Sequence, residues 1–431
     1  MMPNLVRTLR LSVLEGSLGQ IFLVWTTGSV LIGYMLHYNA SPTQIALVSS
    51  IPVLSQMFSP VVAWWASGLS QRRILATSLA FIGRSLWVLA ALAPTLGIPD
   101  KLMPFFLLLV VGLSSLFQAT FGTLWTDWMG AVVPEDRRGR YFGRRAGIVG
   151  VVGMLASLFA GWFLDHIKAP LSFQLVLGLS VVFALIGASL LLFHYEPPKL
   201  KAQLPFKEVL LKPWKSLNFR KFLVFAGYFH FGIFLSAALI TAYFIQNLHM
   251  TFTQLAIFSI IASTTALITT NIWGRLADRF GNKPILAASV LIMGIGFPTT
   301  WILAGLYQNL NFIWLSAVID AVAWGAGGPA IFNLALVSAP KDERLSFIAM
   351  YSLVTGLMGF LGGAVSGPIL ELLSRFSTGV WLPYYSLFVV SGFMRASSIL
   401  FLLRVQETRE WDNRPLLRHM RPWRRIGFPW R

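Results

Sequence analysis

The stretch SPTQIALVSSI, residues 41–51, returns in the second half of the chain as TFTQLAIFSII, residues 251–261. A second stretch, VPEDRRGRYF at 133–142, aligns in the same order with APKDERLSFI at 339–348. Two matches in one order indicate an internal repeat, which is sought before any shorter motif. We interpret the chain as two copies of one structural unit.

The composition of the 431-residue chain is typical of a membrane protein. Hydrophobic residues make up 56% of it and charged residues 12%, whereas soluble proteins average roughly 45–50% and about 25%. Apolar stretches near the ~20 residues that a spanning helix needs recur along the whole chain. We predict an all-α membrane protein with twelve spans, at about residues 13–38, 43–67, 74–95, 102–132, 142–164, 171–193, 221–247, 252–274, 284–306, 311–338, 346–373 and 382–404.

The longest polar interruption divides the spans into two sets of six. An even number of spans per set gives both copies the same orientation, so we expect parallel repeats about an axis along the membrane normal. The second alignment then sets Asp165 opposite Glu371. The predicted division is an N-terminal bundle, a cytoplasmic linker, a C-terminal bundle and a basic cytoplasmic tail, at residues 1–193, 194–220, 221–404 and 405–431.

The net charge of +18 reflects membrane topology. Most of the 34 Lys and Arg residues lie in the termini and in alternate loops on one side, and basic loops resist translocation. We therefore predict a multi-pass protein of the bacterial inner membrane with both termini in the cytoplasm. No soluble basic domain that would bind nucleic acid is visible.

Several kinds of chemistry are excluded by residue content. The chain has no cysteine, so it forms no disulfide and offers no thiolate ligand or nucleophile. Phosphate-binding glycine loops, HExxH and GxSxG motifs are missing as well. We expect no enzyme activity, no cofactor and no metal site. The expected partners of a monomer are the lipid bilayer, a small-molecule substrate and protons.

A motif follows the predicted eighth span, where residues 274–286 read GRLADRFGNKPIL. It resembles the loop between the second and third helices of major facilitator proteins, and its repeat in their second half. The resemblance implies that Asp278 caps the eleventh helix as part of a gate, with the other motif residues in the same polar cluster. The motif positions are Gly274, Asp278, Arg279, Gly281 and Lys283.

The corresponding first-half loop, WASGLSQRRIL at 65–75, lacks the acid and keeps only Arg72 and Arg73. These two basic residues therefore serve either a gate or membrane orientation alone. A further stretch, 123–147, resembles the junction of the fourth and fifth helices of bacterial major facilitator proteins and contains Asp127 and Arg138. Asp127 stands near the end of its span, within reach of Arg72 or Arg73, so a gating or structural ion pair is expected.

The resemblance covers essentially the whole chain and implies two pseudo-symmetric six-helix bundles. In this family the first, fourth, seventh and tenth helices surround a central cavity. Asp320 lies close to mid-membrane and is the first candidate for binding a proton or substrate. His230 lies at similar depth, where it either pairs with Asp320 or stays neutral and bonds to a neighbour in its own helix. The candidates for substrate or proton binding on these helices are Asp320, His230, Gln20, Gln118, Trp25 and Trp324.

Three other charged residues fall within the predicted spans. Glu15 is close enough to the interface to be solvated. Arg84 is near mid-depth, with either a structural partner such as Asp127 or an anionic cargo to balance it. Arg395, in the twelfth span, is open to a structural or a functional interpretation.

The resemblance implies secondary active transport by alternating access, as symport or antiport, and does not identify the cargo. A proton-coupled transporter of a small solute is the first hypothesis. An uncoupled facilitator or a flippase of lipid-like molecules is the alternative, and a receptor or enzyme is a third. Because no row of charges lines the cavity helices, an uncharged or amphiphilic solute is favoured.

Overall fold

The structure, a computed structural model, describes residues 3–67, 71–134, 137–197, 206–340, 343–376 and 381–407. Within these ranges the chain is helical, and twelve helical segments are long and apolar enough to cross a membrane. The predicted fold class is confirmed. Residues 198–205 of the predicted linker and 408–431 of the predicted tail lie outside the described residues.

The first six spans and the linker contain nine helices among the described residues. The first span is divided into two helices, and a 3₁₀ turn interrupts the second span. α1 begins well before the predicted start at residue 13. The helices are α1 (Pro3–Thr26), α2 (Gly28–His37), α3 (Pro42–Leu54), α4 (Ser59–Ser67), α5 (Arg72–Leu92), α6 (Met103–Val132), α7 (Arg138–His166), α8 (Leu171–Leu191) and α9 (Phe206–Lys215).

The last six spans follow the same plan, with the first of them again divided. Their first helix begins inside the predicted linker, which also contains α9. The helices are α10 (Leu217–Ala237), α11 (Ile240–Gln246), α12 (Phe252–Phe280), α13 (Asn282–Tyr307), α14 (Asn311–Val337), α15 (Arg344–Ser374), α16 (Pro383–Ser397) and α17 (Ile399–Leu402).

The turns between the spans lie on two opposite faces of the molecule. The basic face holds the turns that precede α5, α7, α13 and α15, which carry the basic loop residues of the sequence. The opposite face holds the turns between α2 and α3, α5 and α6, α7 and α8, α11 and α12, and α13 and α14. The described chain begins and ends on the basic face.

The divided spans break at equivalent positions of the repeat. α1 ends at Thr26, and Gly28, which starts α2, has a φ of +56°, a conformation that glycine adopts without steric cost. In the first alignment Gly28 stands opposite Ala238, which lies between α10 and α11. The first helix of each repeat is therefore interrupted at the same height.

The first repeated stretch forms the same capped helix start in both halves. Ser41 and Thr251 are the N-cap residues of α3 and α12, and each side chain accepts a hydrogen bond from the backbone N–H of Gln44 or Gln254. Each glutamine side chain in turn accepts from the N-cap backbone N–H, at 2.9 Å in both halves. This reciprocal capping box satisfies two of the N–H groups that a helix start leaves unpaired.

Helix packing follows the repeat. In the first half α1 packs on α7 and α8, α5 packs on α6 and α8, and α3 packs on α6. In the second half the equivalent helices do the same: α10 packs on α15 and α16, α13 on α14 and α16, and α12 on α14. The halves meet through α3 against α15 and, reciprocally, α7 against α12. The predicted pseudo-symmetry is therefore present in the packing.

Candidate substrate and proton site

A cleft lies between α1, α7 and α12, where the two halves of the molecule face each other. Its volume is about 420 Å³, and Gln20, Gly153, Ser259 and Thr270 are among its lining residues. α7 and α12 join at the opposite face, and the buried residues of α12 are confined to that end. The cleft therefore extends from mid-membrane toward the basic face. We call it the central cleft.

A second cavity adjoins the central cleft within the second half and shares Gly28, Ser29 and Ser259 with it. Its volume is about 250 Å³, which is near the small end of ligand sites, roughly 300–1,000 Å³. We call it the aromatic cavity because five of its lining residues are Phe244, Phe258, Phe297, Trp301 and Trp324.

The aromatic cavity contains one acid and one base. Asp320 and Trp324 stand one turn apart on α14, so they share a face of that helix, and both line the cavity. Arg395 on α16 lines it too and interacts electrostatically with Asp320. Among the described residues the two charged groups make no direct ion pair within 4.0 Å.

Arg395 is held in place through one of its nitrogens. Nη2 donates to the hydroxyl of Ser236 and, at 3.1 Å, to the carbonyl of Ile233. The Ser391 hydroxyl donates to Ser236 Oγ at 2.9 Å. The guanidinium carbon lies 5.6 Å from the ring centroid of Phe297, a cation–π distance. The sequence left the role of Arg395 open because it did not show that α16 reaches the cavity.

His230 does not pair with Asp320. Its Nδ1 lies 2.8 Å from the carbonyl oxygen of Ala226, and its ring packs against Phe229 and Tyr351. Asp320 instead interacts with the charge of Arg395 and with the side chain of Trp324. Of the two interpretations of His230, the structure has the bond to a neighbour in its own helix and not the pair with Asp320. Equal depth does not show which way each helix turns its side chain.

Two other candidates from the sequence lie outside both cavities. Trp25 is buried, and its Nε1 donates to the carbonyl of Ala156 at 2.8 Å, which joins α1 to α7. Gln118 is partly buried, and its Oε1 has no hydrogen-bond partner among the described residues. Of the six predicted binding residues, Asp320, Trp324 and Gln20 line the cavities.

Glu15 is buried in the first half, which corrects the expectation that it is solvated. Its Oε1 lies 3.3 Å from Arg84 Nη2, and its Oε2 lies 3.5 Å from Arg145 Nη2. Arg84 also donates to the carbonyl of Ala184 at 2.9 Å. Glu15, rather than Asp127 or cargo, is therefore the described partner of Arg84. Arg145 stacks on Trp125, 4.3 Å from the ring centroid.

The glycine-rich motif forms a tight turn on the basic face. Gly281, between α12 and α13, has a φ of +101°, and a Cβ there would lie 2.8 Å from an oxygen of Glu407. Glu407 accepts from the backbone N–H groups of Asn282 and Lys283 at 2.9 and 3.0 Å. Lys283 Nζ donates to the carbonyls of Leu403 and Val405. The turn is thereby tied to the end of the last span.

The remaining motif residues lie at the end of α12. Gly274 has open space where a Cβ would project, and the guanidinium of Arg279 lies over the ring of Phe280. α15 packs chiefly against α10 and α3. The cap that Asp278 is expected to form on the eleventh span stays a prediction.

The first-half turn has an equivalent arrangement with a different acid. Glu196 accepts from the backbone N–H groups of Arg72 and Arg73 at the start of α5. Arg72 Nη1 lies 2.9 Å from Asp127 Oδ2, as expected for an ion pair between these residues. Arg138 donates to the carbonyl of Gly130 at 2.8 Å, which joins the start of α7 to the end of α6.

The opposite face is closed by two reciprocal contacts between the halves. The two oxygens of Asp165, at the end of α7, accept from the N–H groups of Phe252 and Thr253, at 2.8 and 2.9 Å. Glu371, near the end of α15, accepts from the N–H of Thr43 at 3.1 Å. These N–H groups start α12 and α3 and have no partner within their helices. We call the two contacts the interhalf caps.

Comparison with known proteins agrees with this architecture. The 4-hydroxybenzoate transporter PcaK of Pseudomonas putida is 32% identical over a 135-residue alignment, which covers 27% of this chain. The chain matches only 29% of the length of that relative. The aligned segment is therefore a minor part of both proteins.

Solved structures with the same fold match nearly the whole chain. A D-xylose–proton symporter is 15% identical with a TM-score of 0.71, over 94% of this chain and 98% of its own. The nucleoside transporter NupG is 14% identical with a TM-score of 0.67, over 95% and 100%. A bacterial homologue of the human lysosomal transporter Spinster, inward-facing and occupied, is 17% identical with a TM-score of 0.66, over 94% and 95%. At these identities the likeness shows the fold.

The family model described as Major Facilitator Superfamily matches residues 16–363 and 222–431, which together include nearly all of the spans described above. Its two overlapping matches agree with the repeated packing of the two halves. The chain therefore belongs to the major facilitator superfamily of membrane transporters.

Proposed function

We propose that this transporter moves a small organic solute together with a proton, and that Asp320 carries the proton. The observation that supports this is the position of Asp320 in the wall of the aromatic cavity, beside the guanidinium of Arg395. A carboxyl group at mid-membrane is costly when charged and is usually functional. Taking up a proton changes the charge of the cavity by one unit.

The interhalf caps support an alternating-access cycle. They close the opposite face while the central cleft extends toward the basic face. With the basic loops in the cytoplasm of a bacterial inner membrane, this arrangement faces inward. The interrupted helices α1 and α10 meet the central cleft or the aromatic cavity near their breaks, at Thr27 and Ala237. We place the N-terminal bundle, the linker, the C-terminal bundle and the basic tail at the boundaries given by the sequence, except that the C-terminal bundle begins with α10 at Leu217.

The first solute to test is 4-hydroxybenzoate, because the curated relative carries that name. The match to that relative covers a minor part of both chains. The assay therefore begins with 4-hydroxybenzoate and extends to other small organic acids, sugars and nucleosides. Purified protein is reconstituted into vesicles, and uptake is measured with and without an imposed proton gradient.

We expect wild-type protein to accumulate its solute only when a proton gradient is imposed. Asp320→Asn removes the titrating group and keeps the size of the side chain, so accumulation should be lost while exchange of solute across the membrane persists. Asp100→Asn, at an exposed position on the opposite face, is the matched control. Equal accumulation by wild-type protein and Asp320→Asn would contradict proton coupling through Asp320. Equal uptake by wild-type protein with and without the proton gradient would favour an uncoupled facilitator or flippase.

A further inference from the structure

We propose that the aromatic cavity binds a planar organic monoanion, such as an aromatic carboxylate, through the guanidinium of Arg395 and the indole N–H of Trp301. The inference rests on the proposed function, because it assigns a substrate class to the same cavity. It departs from the uncharged or amphiphilic solute favoured by the sequence, which did not place Arg395 in a cavity wall.

Three hydrogen-bond donors in this wall have no acceptor among the described residues. Arg395 Nη2 is bound by Ser236 and Ile233, whereas Arg395 Nε and Trp301 Nε1 are buried without an acceptor among the described residues. Arg395 Nη1 likewise makes no hydrogen bond with the described part of the chain. Both side chains are more than nine-tenths buried. Buried donors without acceptors are unfavourable, and a ligand with clustered acceptor oxygens would satisfy them.

The geometry of the donors favours a carboxylate. Nη2 of Arg395 is already bound, so its free donors, Nε and Nη1, and the indole N–H of Trp301 would each donate to a carboxylate oxygen. Hydrogen bonds from a guanidinium to a carboxylate are charge-assisted and therefore strong. The hydroxyl of Ser236 accepts a hydrogen bond from Arg395, and it accepts a second one from Ser391. The charged group is therefore fixed before a ligand arrives, and little ordering is needed on binding.

The surrounding rings favour a flat apolar body. Phe297 and Trp301 are stacked, with centroids 5.5 Å apart, and Phe244 and Phe258 meet edge to face at 5.5 Å. Aromatic side chains bind other flat rings in offset or edge-on contacts. A small cavity of about 250 Å³ admits one such ring with its carboxylate and excludes larger solutes.

The charges of the cavity couple the anion to a proton. Arg395 is the charged group that acts on Asp320, and His230, on α10, faces Phe229 and Tyr351 instead. With Asp320 ionised, the pair is neutral and a bound anion adds an uncompensated charge. With Asp320 protonated, the anion neutralises Arg395, so one proton accompanies one anion. The described charges on the helices packed against α14 lie near the ends of those helices, at Arg275, Asp278, Arg279, Lys283, Arg344, Glu371 and Arg375.

The test is equilibrium binding to purified protein in lipid nanodiscs, which requires neither a gradient nor transport. The probes are benzoate, 4-hydroxybenzoate and nicotinate as planar anions, benzamide as the neutral analogue and benzylamine as the cation. Wild-type protein is expected to bind at least one acid, and more tightly at mildly acidic than at mildly alkaline pH. Benzamide should bind roughly tenfold more weakly than benzoate, because it cannot neutralise Arg395.

Trp301→Phe is the decisive variant, because it keeps an aromatic ring while removing the unpaired N–H together with one ring of the indole. We expect roughly tenfold weaker binding of the acid. The cavity left by the missing ring lowers stability to some degree, which the thermal unfolding midpoint measures separately. A merely structural Trp301 would leave affinity unchanged. Trp162→Phe, on the exposed side of α7, is the control. Arg395→Met should abolish binding and Arg395→Lys should restore part of it, and Asp320→Asn should bind the acid equally at both pH values.

Three outcomes would overturn the proposal: benzamide or benzylamine binding as tightly as the acids, no acid binding at all, or Trp301→Phe binding like wild type. Failure of proton coupling is distinguishable from these. Acid binding without proton-driven uptake would refute the proposed coupling and leave this site intact. Proton-driven uptake of a neutral solute, with no acid bound, would refute this site and leave the coupling intact.

Discussion

Glu15 is a single carboxylate between two guanidinium groups inside the first half. Replacing it by Gln would leave Arg84 buried without its described counter-ion. Removing one partner of a buried ion pair typically costs about 3–5 kcal/mol of unfolding free energy. We expect Glu15→Gln to lower the thermal unfolding midpoint of the detergent-purified protein substantially.

The matched control for this prediction is Glu343→Gln. Glu343 pairs with Lys212 at 3.0 Å, and about a third of each side chain is exposed, so its loss should cost roughly 0–1 kcal/mol. Similar unfolding midpoints for the two variants would show that Glu15 is not a structural counter-ion.

At the residue scale, the sequence predicted well how deep each side chain lies in the membrane. It predicted poorly which neighbouring helix each side chain faces. Asp320 was expected in a cavity and lines one, because a lone acid at mid-membrane requires such a place. Trp25 was a candidate for contact with cargo and instead donates to a helix carbonyl. Glu15 was expected to be solvated and is buried, and the role of Arg395 was left open, for a related reason. The spacing of residues along one helix does not show which neighbouring helix packs against each face.

At the element scale the crossings between the halves depend on glycines. A Cβ on Gly367 of α15 would lie 2.4 Å from the Cα of Thr43 at the start of α3, which is too close for any side chain. On the reciprocal crossing, a Cβ on Gly161 would lie 2.7 Å from the carbonyl oxygen of Phe252. Small residues at these positions let the helix backbones approach closely.

Gly367→Ala is therefore expected to separate α15 from α3. Overpacking of this kind typically costs about 1–3 kcal/mol, and the obstruction is backbone, which cannot rotate away. We expect a lower thermal unfolding midpoint than for Gly178→Ala on α8, where a Cβ meets open space. Equal midpoints for the two variants would contradict the close crossing.

Much of the element-scale architecture was predictable, and the repeat explains why. A hydroxyl residue, Ser41 or Thr251, and a glutamine three positions later recur because each copy needs the same capping box to start a spanning helix. Hydrophobicity predicted the twelve spans. Their internal breaks were not predicted, because a span interrupted at Gly28 is as apolar as a continuous one. The start of α10 was predicted too late for a different reason, because Asn218 and Arg220 give its first turn the polar character of the linker.

At the scale of the whole molecule, the interhalf caps hold the opposite face closed. Asp165→Ala would leave two N–H groups at the start of α12 without their acceptor. Hydrogen bonds to charged groups contribute about 1.5–3 kcal/mol each, and ~1.4 kcal/mol changes a population ratio tenfold. We expect this variant to populate an arrangement with the opposite face open at least roughly tenfold more than wild type does.

Spin labels can measure this shift, because the chain has no cysteine of its own. Leu96→Cys and Tyr307→Cys place one exposed label in each half on the opposite face. Electron–electron distances should lengthen in Asp165→Ala and remain as in wild type in Asp100→Asn. An unchanged distance distribution in Asp165→Ala would show that the caps do not hold this face closed.

The reciprocity of the interhalf caps matches the symmetry of a two-fold dimer. In a two-fold symmetric dimer, a residue of one subunit that contacts a site on its partner is matched by the same contact in return. Asp165 and Glu371 occupy aligned positions, and each serves the equivalent helix of the other half. A symmetric pair of six-helix subunits would form the same two contacts from one acid and one helix start. Pro42 has no N–H to donate, so Glu371 has one donor where Asp165 has two.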